Sequence, residues 1–132
     1  MNIWFYIAIC FFLGVIVYWI GIIITFWKKR RLPLKKKLEF IKLLKQINSE
    51  KNARQKIIDY DKLYHKILLA FGYEWDFWEI LKFSPNEVWD TEKVWQLHKF
   101  RNKLVHEFDN YKDSDLKKKA DSYRKEVLKL LR

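Results

Sequence analysis

The sequence predicts an all-α protein with one apolar helix at the amino terminus and a small bundle of four to five helices after it. Its 132 residues suffice for one modest domain and an accessory segment. Half of the residues are hydrophobic and a third are charged, and the two classes are separated along the chain. Beyond the first apolar stretch, apolar residues recur at three- and four-residue spacing, which indicates amphipathic helices.

The first element is the stretch IWFYIAICFFLGVIVYWIGIIITFW, from Ile3 to Trp27, which has no charged residue in 25 positions. A helix of this length spans the roughly 30 Å hydrocarbon core of a bilayer with some tilt. A cleavable signal peptide would carry positive charge before the apolar run, whereas Met1 and Asn2 are uncharged. We therefore predict a transmembrane helix over residues 1–27.

The second element is the stretch KKRRLPLKKK, residues 28–37, predicted as a basic juxtamembrane linker that supplies +7 of the formal charge of +11. Because no basic residue precedes the span, the positive-inside rule places the amino terminus outside and the remaining domain in the cytoplasm. The cluster can attract anionic lipid headgroups or RNA phosphates, and the lipid is favoured. The one cysteine, Cys10, lies in the span, which leaves no disulfide and no thiol nucleophile in the soluble part.

The remaining residues, 38–132, are predicted to form the bundle. Pro33 should interrupt any continuous helix that leaves the membrane, since proline lacks a backbone donor. The periodicity, with Gly72 and Pro85 as stop signals, predicts helices over residues 34–47, 49–71, 75–83, 91–109 and 114–131. Short connections between them favour antiparallel packing.

The fourth of these predicted helices carries an unusual set of polar residues in the stretch HKFRNKLVHEFD, residues 98–109. Arg101 falls among apolar residues of one helical face, and His98, Asn102 and His106 form a polar row beside it. The predicted apolar face consists of Val94, Leu97, Leu104, Val105 and Phe108. The set could be a solvated face, a buried polar network that fixes the packing, or a functional site.

Asp61 is the next candidate, because helical spacing places it on the inner side of an earlier helix, where it could pair with Arg101. An ordinary salt bridge explains such a pair equally well. We expect His65 at the surface and His98 beside the site without a chemical role. Trp75, Trp78, Trp89 and Trp95 could stack on bases, although core packing is expected for most of them.

The segment RNKLVH, residues 101–106, resembles the motif of the HEPN superfamily, in which an arginine, a polar residue and three variable residues precede a histidine. The surrounding VWQLHKFRNKLVHEF and the earlier DYDKLYHKILLAFGY, residues 59–73, are similar to that family's setting, and the resemblance covers most of residues 50–132. It implies a small helical bundle, and the family includes metal-independent endoribonucleases and toxins of toxin–antitoxin pairs.

For this chain the resemblance implies that Arg101, Asn102 and His106 form the site, with Asp61 holding the arginine. It also implies a homodimer, because catalytic members of the family pair two copies of the motif, and a nucleotidyltransferase-type antitoxin as a further partner. Phe108 is a departure, since one toxin branch has a tyrosine there.

The expected chemistry is metal-free RNA cleavage by attack of a 2′-hydroxyl on the adjacent phosphate, with no cofactor. His106 would move the proton, Arg101 would stabilise the developing charge, and Asn102 would orient the histidine or hold the phosphate. A non-catalytic interaction module and a lipid-binding membrane protein remain alternatives. The sequence has no phosphate-binding glycine loop, metal-ligand cluster or serine or cysteine triad, so other enzyme classes have no support.

Overall fold

The computed structural model describes residues 2–27, 30–106 and 110–132, with the backbone alone at residues 26 and 27. The described residues are all-helical and contain no strand, as predicted. The helices are α1 (Ile3–Trp27), α2 (Leu34–Ser49), α3 (Ala53–Ala70), α4 (Phe77–Lys82), α5 (Thr91–His106) and α6 (Asp113–Leu130).

Helix α1 stands apart from the other five in composition and burial. Its stretch Ile3–Thr25 is long and apolar enough to span a membrane, and none of its most apolar part is buried inside the protein. A soluble core helix of this length would be covered by its neighbours. The predicted apolar helix at the amino terminus is therefore present.

Helix boundaries follow the local signals in the sequence. Pro33, with φ −56° and ψ 140°, immediately precedes α2, so the predicted interruption is present. The last residues of the predicted basic linker consequently form the first turn of α2. The Asn52 side chain caps α3 by accepting hydrogen bonds from two backbone N–H groups, and Gly72, with φ 95°, follows the end of α3.

Helices α2, α3, α5 and α6 form an up-and-down bundle around α3. Asn48 at the end of α2 accepts a hydrogen bond from Tyr60 near the start of α3, so these helices are antiparallel. Early in α5, Lys93 pairs with Glu126, late in α6, which makes α5 and α6 antiparallel as well. Helices α3 and α6 therefore run towards one end of the bundle, which we call the near end, and α2 and α5 run towards the other, the far end.

The near end of the bundle faces Arg30, the first described residue after α1. The Arg30 Nη1 donates a hydrogen bond to the carbonyl oxygen of Phe71, at the end of α3 (3.1 Å). Also at this end, Lys37 at the start of α2 donates to the carbonyl of Arg132. The order of the helices thus places the end of α5 at the opposite end of the bundle from α1.

The core is formed by aliphatic and tyrosine side chains from α2 to α6, with two corrections to the sequence-based expectations. Val105, in the last turn of α5, is 47% exposed although it belongs to the predicted apolar face. The tryptophans are not mostly core residues: Trp75, Trp78 and Trp89, which lie between the end of α3 and the start of α5, are at least half exposed. Phe108 lies outside the described residues.

Candidate functional site

Asp61 on α3 is a buried carboxylate, only 4% exposed, that faces α5 and α6. Its Oδ1 lies 2.7 Å from His98 Nδ1 and accepts a hydrogen bond from the Tyr123 hydroxyl at 2.5 Å. Its Oδ2 lies 3.5 Å from Arg101 Nε. A buried charge needs such partners, because an uncompensated carboxylate in the interior destabilises the folded state by several kcal/mol. We use the name Asp61 site for Asp61, His98, Arg101, Asn102 and Tyr123.

Four members of the Asp61 site form a closed ring. From Asp61 the ring runs to His98, whose Nε2 lies 3.2 Å from Asn102 Nδ2. The Asn102 Oδ1 in turn accepts a hydrogen bond from Arg101 Nη1 (2.9 Å), and Arg101 returns to Asp61. The ring joins α3 to two successive turns of α5.

The protonation of His98 follows from its neighbours. Arginine has only donors, so the Asn102 amide must turn its oxygen to Arg101 and its NH₂ group to His98. The His98 Nε2 is then an acceptor, and the ring proton is on Nδ1, where it is donated to Asp61. With the proton on Nδ1, a neutral His98 satisfies both of its polar contacts. A proton on Nε2 would instead point at the NH₂ group of Asn102, which is also a donor.

Two aromatic rings enclose the imidazole of His98. Phe77 from α4 meets it edge to face at 4.6 Å between ring centroids, and the Trp95 ring lies 5.9 Å away. The His98 side chain is only 12% exposed. Packing against these two rings restricts the plane in which the imidazole donates to Asp61.

Tyr123 completes the site from α6. Burial is the main reason why the pKa of its hydroxyl lies well above the ordinary value, and the charge of Asp61 and the hydrogen bond to it act in the same direction. The hydroxyl therefore keeps its proton and remains a donor to Asp61. Tyrosine at a core position of an amphipathic helix needs a polar partner of this kind.

Arg101 is held by charge more than by hydrogen-bond geometry. Its Nε lies within ion-pair distance of Asp61 but is buried without a hydrogen bond among the described residues. Nη1 is used by Asn102. The Arg101 side chain is 22% exposed, and no described residue is a hydrogen-bond partner of Nη2.

His106 is outside the ring. It lies one turn after Asn102 on the same side of α5 and is exposed, and no described residue is a partner for its imidazole. The structure therefore brings Asp61, Arg101 and Asn102 into contact and leaves His106 at the surface beside them. Within the ranges described, no group of histidine, cysteine, aspartate or glutamate side chains could hold a metal ion.

Two residues of the site were not predicted as members. His98 was expected to flank the site without a chemical role, and in the structure it links Asp61 to Asn102 by hydrogen bonds. Tyr123 was not among the candidates, although the hydroxyl of a buried tyrosine indicates a polar partner. The predicted pairing of Asp61 with Arg101 is present. His65, expected at the surface, is partly buried against Phe77, with their rings stacked at 5.4 Å.

Comparisons of the chain with models of known families, with curated proteins and with solved structures find no match.

Proposed function

We propose that this protein is a membrane-anchored, cytoplasm-facing domain that acts on RNA, as a HEPN-like, metal-independent endoribonuclease in a homodimer. The observation that carries the proposal is the arrangement of RNKLVH on α5. Arg101 and Asn102 are fixed by the Asp61 site, while His106 is exposed one turn further on. A positioned cation beside an accessible imidazole suits attack on a phosphodiester.

The division of roles follows from these positions. His106 would accept the proton of the 2′-hydroxyl, because an imidazole can both accept and donate a proton in general acid–base catalysis. The free Nη2 of Arg101 would bind a phosphate oxygen as charge develops there. Asn102, through its bond to Nη1, would hold the guanidinium in plane. Asp61 would act through Arg101 without contacting the RNA.

Two further features support an RNA partner and this topology. The chain carries 27 lysine and arginine residues against 16 acidic residues, which favours binding to phosphates. Basic residues follow α1 and none precedes it, which favours a cytoplasmic bundle. In a homodimer, two α5 edges would contribute two Arg101 and two His106 side chains to one cleft. A toxin role with a nucleotidyltransferase-type antitoxin belongs to the same proposal.

The test is RNA cleavage by the full chain in detergent with excess EDTA. We expect cleavage by the wild type, and a loss of about 100-fold or more for His106→Ala, the usual range for removing a general acid or base. His65→Gln is the matched control, because it changes a histidine on α3 whose polar contact is the Trp75 carbonyl and not a member of the ring, so this variant should cleave normally. Undiminished cleavage by His106→Ala, or a requirement for metal, would overturn the proposal.

The second candidate is a non-catalytic dimerisation or protein-interaction module on the membrane. It is favoured by the closure of the ring within one chain, since its members hydrogen-bond or ion-pair with one another. This candidate predicts a dimer that neither binds nor cuts RNA and that loses stability when Asp61 is replaced. Sedimentation of the full chain with and without RNA separates it from the first candidate.

A further inference from the structure

A pair of exposed aromatic side chains lies at the near end of the bundle. Trp75 is 50% exposed and Phe83 is 65% exposed, and their ring centroids are 5.2 Å apart. Neither ring belongs to the Asp61 site. Large apolar side chains that contact each other at a surface mark an interaction site more often than isolated ones do.

The same end of the bundle holds the chain just after α1. The buried carboxylate of Glu87 accepts hydrogen bonds from the backbone N–H of Arg30 (2.8 Å) and from the Tyr73 hydroxyl (2.6 Å). The Arg30 guanidinium lies 4.6 Å above the centre of the Tyr73 ring and also donates to the Phe71 carbonyl. We call Glu87, Tyr73 and Arg30 the Glu87 site.

The Glu87 site places the aromatic pair at the level where α1 ends. Arg30 is three residues after Trp27, which at full extension is a reach of about 10 Å. Thr25, in the last turn of α1, lines one cleft of about 820 Å³ together with Trp75 and Phe83. Whatever surrounds the last turn of α1 therefore also meets these two rings.

Exposed apolar and basic side chains also lie at the start of α2, at the same end of the bundle. Leu34 and Leu38 are exposed one turn apart, with exposed Lys35 and Lys36 between them. Tryptophan and leucine can enter the boundary between headgroups and acyl chains, while lysines remain at anionic headgroups. This combination favours a lipid surface over a protein partner.

We propose that the aromatic pair Trp75 and Phe83 inserts into the headgroup boundary of the bilayer that α1 spans, so that the bundle rests on the membrane at its near end. The inference rests on the membrane anchorage in the proposed function and is independent of RNA cleavage. The Glu87 site holds the bundle in this position, because it fixes Arg30 to the segment that carries both rings.

This position leaves the Asp61 site in water. Asp61 precedes Phe71 by ten residues on the same helix, which is about 15 Å along α3. Helix α5 runs from the near end to the far end, so Arg101 and His106 lie progressively further from the membrane. A bundle seated in this way exposes the RNKLVH edge to large ligands in solution.

The test uses nitroxide labels on the full chain in vesicles of phosphatidylcholine and phosphatidylglycerol. One label is placed on the native Cys10, in α1. The other two labels are attached to introduced cysteines in two separate variants, Glu74→Cys and Lys118→Cys. Both variants also carry Cys10→Ser, so that each has one label. Glu74 adjoins Trp75, whereas Lys118 is exposed in α6 near the far end. Collision with oxygen, which concentrates in lipid, is compared with collision with a water-soluble nickel chelate.

We expect the oxygen-to-nickel ratio at Glu74 to be severalfold higher than at Lys118. The double substitution Trp75→Ala with Phe83→Ala should lower the ratio at Glu74 towards that at Lys118. Val105→Ala, which removes an exposed apolar side chain at the far end, should leave it unchanged. Equal ratios at Glu74 and Lys118 in the wild type would overturn the inference.

The Cys10 label separates this failure from failure of the anchorage. If the label at Cys10 is exposed to lipid and the label at position 74 is exposed to water, α1 spans the membrane but the aromatic pair does not insert into it. A water-exposed Cys10 would reject the anchorage itself. Spin–spin broadening at Glu74 that disappears on dilution with unlabelled chain would show that a second copy covers the pair, which also rejects the inference.

Discussion

The Asp61 site and the Glu87 site use the same three kinds of group in different ways. Each has a buried carboxylate that accepts a hydrogen bond from a tyrosine hydroxyl and lies beside an arginine. Asp61 attracts the side chain of Arg101, whereas Glu87 binds the backbone N–H of Arg30. The first contact positions a guanidinium, and the second positions a segment of backbone.

The surroundings of the two carboxylates differ as well. Tyr123 is fully buried between helices, whereas Tyr73 lies in a partly exposed connection after α3. Burial raises the pKa of both hydroxyls above the ordinary value, so both remain donors. We therefore expect the Asp61 site to contribute more to the stability of the bundle. The Glu87 site should contribute more to holding the bundle against the chain that follows α1.

The largest effect should come from removing the carboxylate of Asp61. Asp61→Ala leaves His98 and Tyr123 without an acceptor and Arg101 without a counter-charge, so we expect a loss of about 3–5 kcal/mol in the free energy of unfolding. Denaturant unfolding in detergent, followed by fluorescence, measures it. Asp59→Ala, on the same helix and not in the site, is the control and should cost about 0.5 kcal/mol or less. Equal losses would show that the site does not stabilise the bundle.

The two tyrosines allow the same chemical change at both sites. Tyr123→Phe removes a fully buried hydrogen bond to a charge and should cost about 1.5–3 kcal/mol of unfolding free energy. Tyr73→Phe should cost about 0.5–1.5 kcal/mol, because water can replace the lost hydroxyl at a partly exposed position. The same unfolding measurement compares them. A larger loss for Tyr73→Phe would reverse the ranking of the two sites.

Alkaline pH should weaken the bundle through its buried tyrosines. The pKa of Tyr123 is raised in the folded chain, mainly by burial, so the folded state keeps a proton that the unfolded state releases above pH 10.0. The unfolding free energy is unaffected below that pH and falls as the pH rises, by about 1.4 kcal/mol per pH unit for each such tyrosine.

Unfolding between about pH 9 and about pH 11 tests this dependence. Burial also raises the pKa of Tyr64, so this tyrosine should make the unfolding free energy fall with pH by a similar amount. Tyr123→Phe should remove the contribution of one tyrosine to this dependence on pH. An unchanged slope in Tyr123→Phe would show that this hydroxyl ionises equally in both states.

The smallest effect is expected for an exposed carboxylate. Asp113 pairs with Lys117 at 2.6 Å one turn along α6, but both side chains are mostly exposed. Water competes for such a pair, so Asp113→Ala should change the unfolding free energy by about 0.5 kcal/mol or less. The loss of unfolding free energy in Asp113→Ala is the reference for an exposed carboxylate. If it were as large as the loss in Asp61→Ala, burial would not explain the contribution of Asp61.

Helical periodicity explains what could be predicted from the sequence. Among the described residues, the apolar spacing predicted the helices of the bundle, and the position of Asp61 on an inner face predicted its proximity to Arg101. The polar row on α5 was visible, but the partner of His98 across the bundle was not, because periodicity gives a face and not its neighbour. The function inferred from RNKLVH remains a prediction.

The Glu87 site could not be predicted in the same way. Its contacts join the chain after α1 to loops more than forty residues away, and loops have no period to reveal which side chains meet. The residues around Pro85 have no helical or strand period that would mark Glu87 as buried. Core packing was expected for most of the tryptophans, because composition alone does not distinguish aromatic residues that pack inside from those at the surface.

The direction of α5, away from α1, limits how two copies of the chain could meet. If α1 anchors the chain in a bilayer as proposed, all copies share one orientation, so a symmetric pair would require a two-fold axis along the membrane normal. The α5 edges would then approach side by side, by diffusion in two dimensions, and would meet at the ends furthest from the lipid. Surface density in the membrane, more than total cellular concentration, would then set the fraction of paired chains.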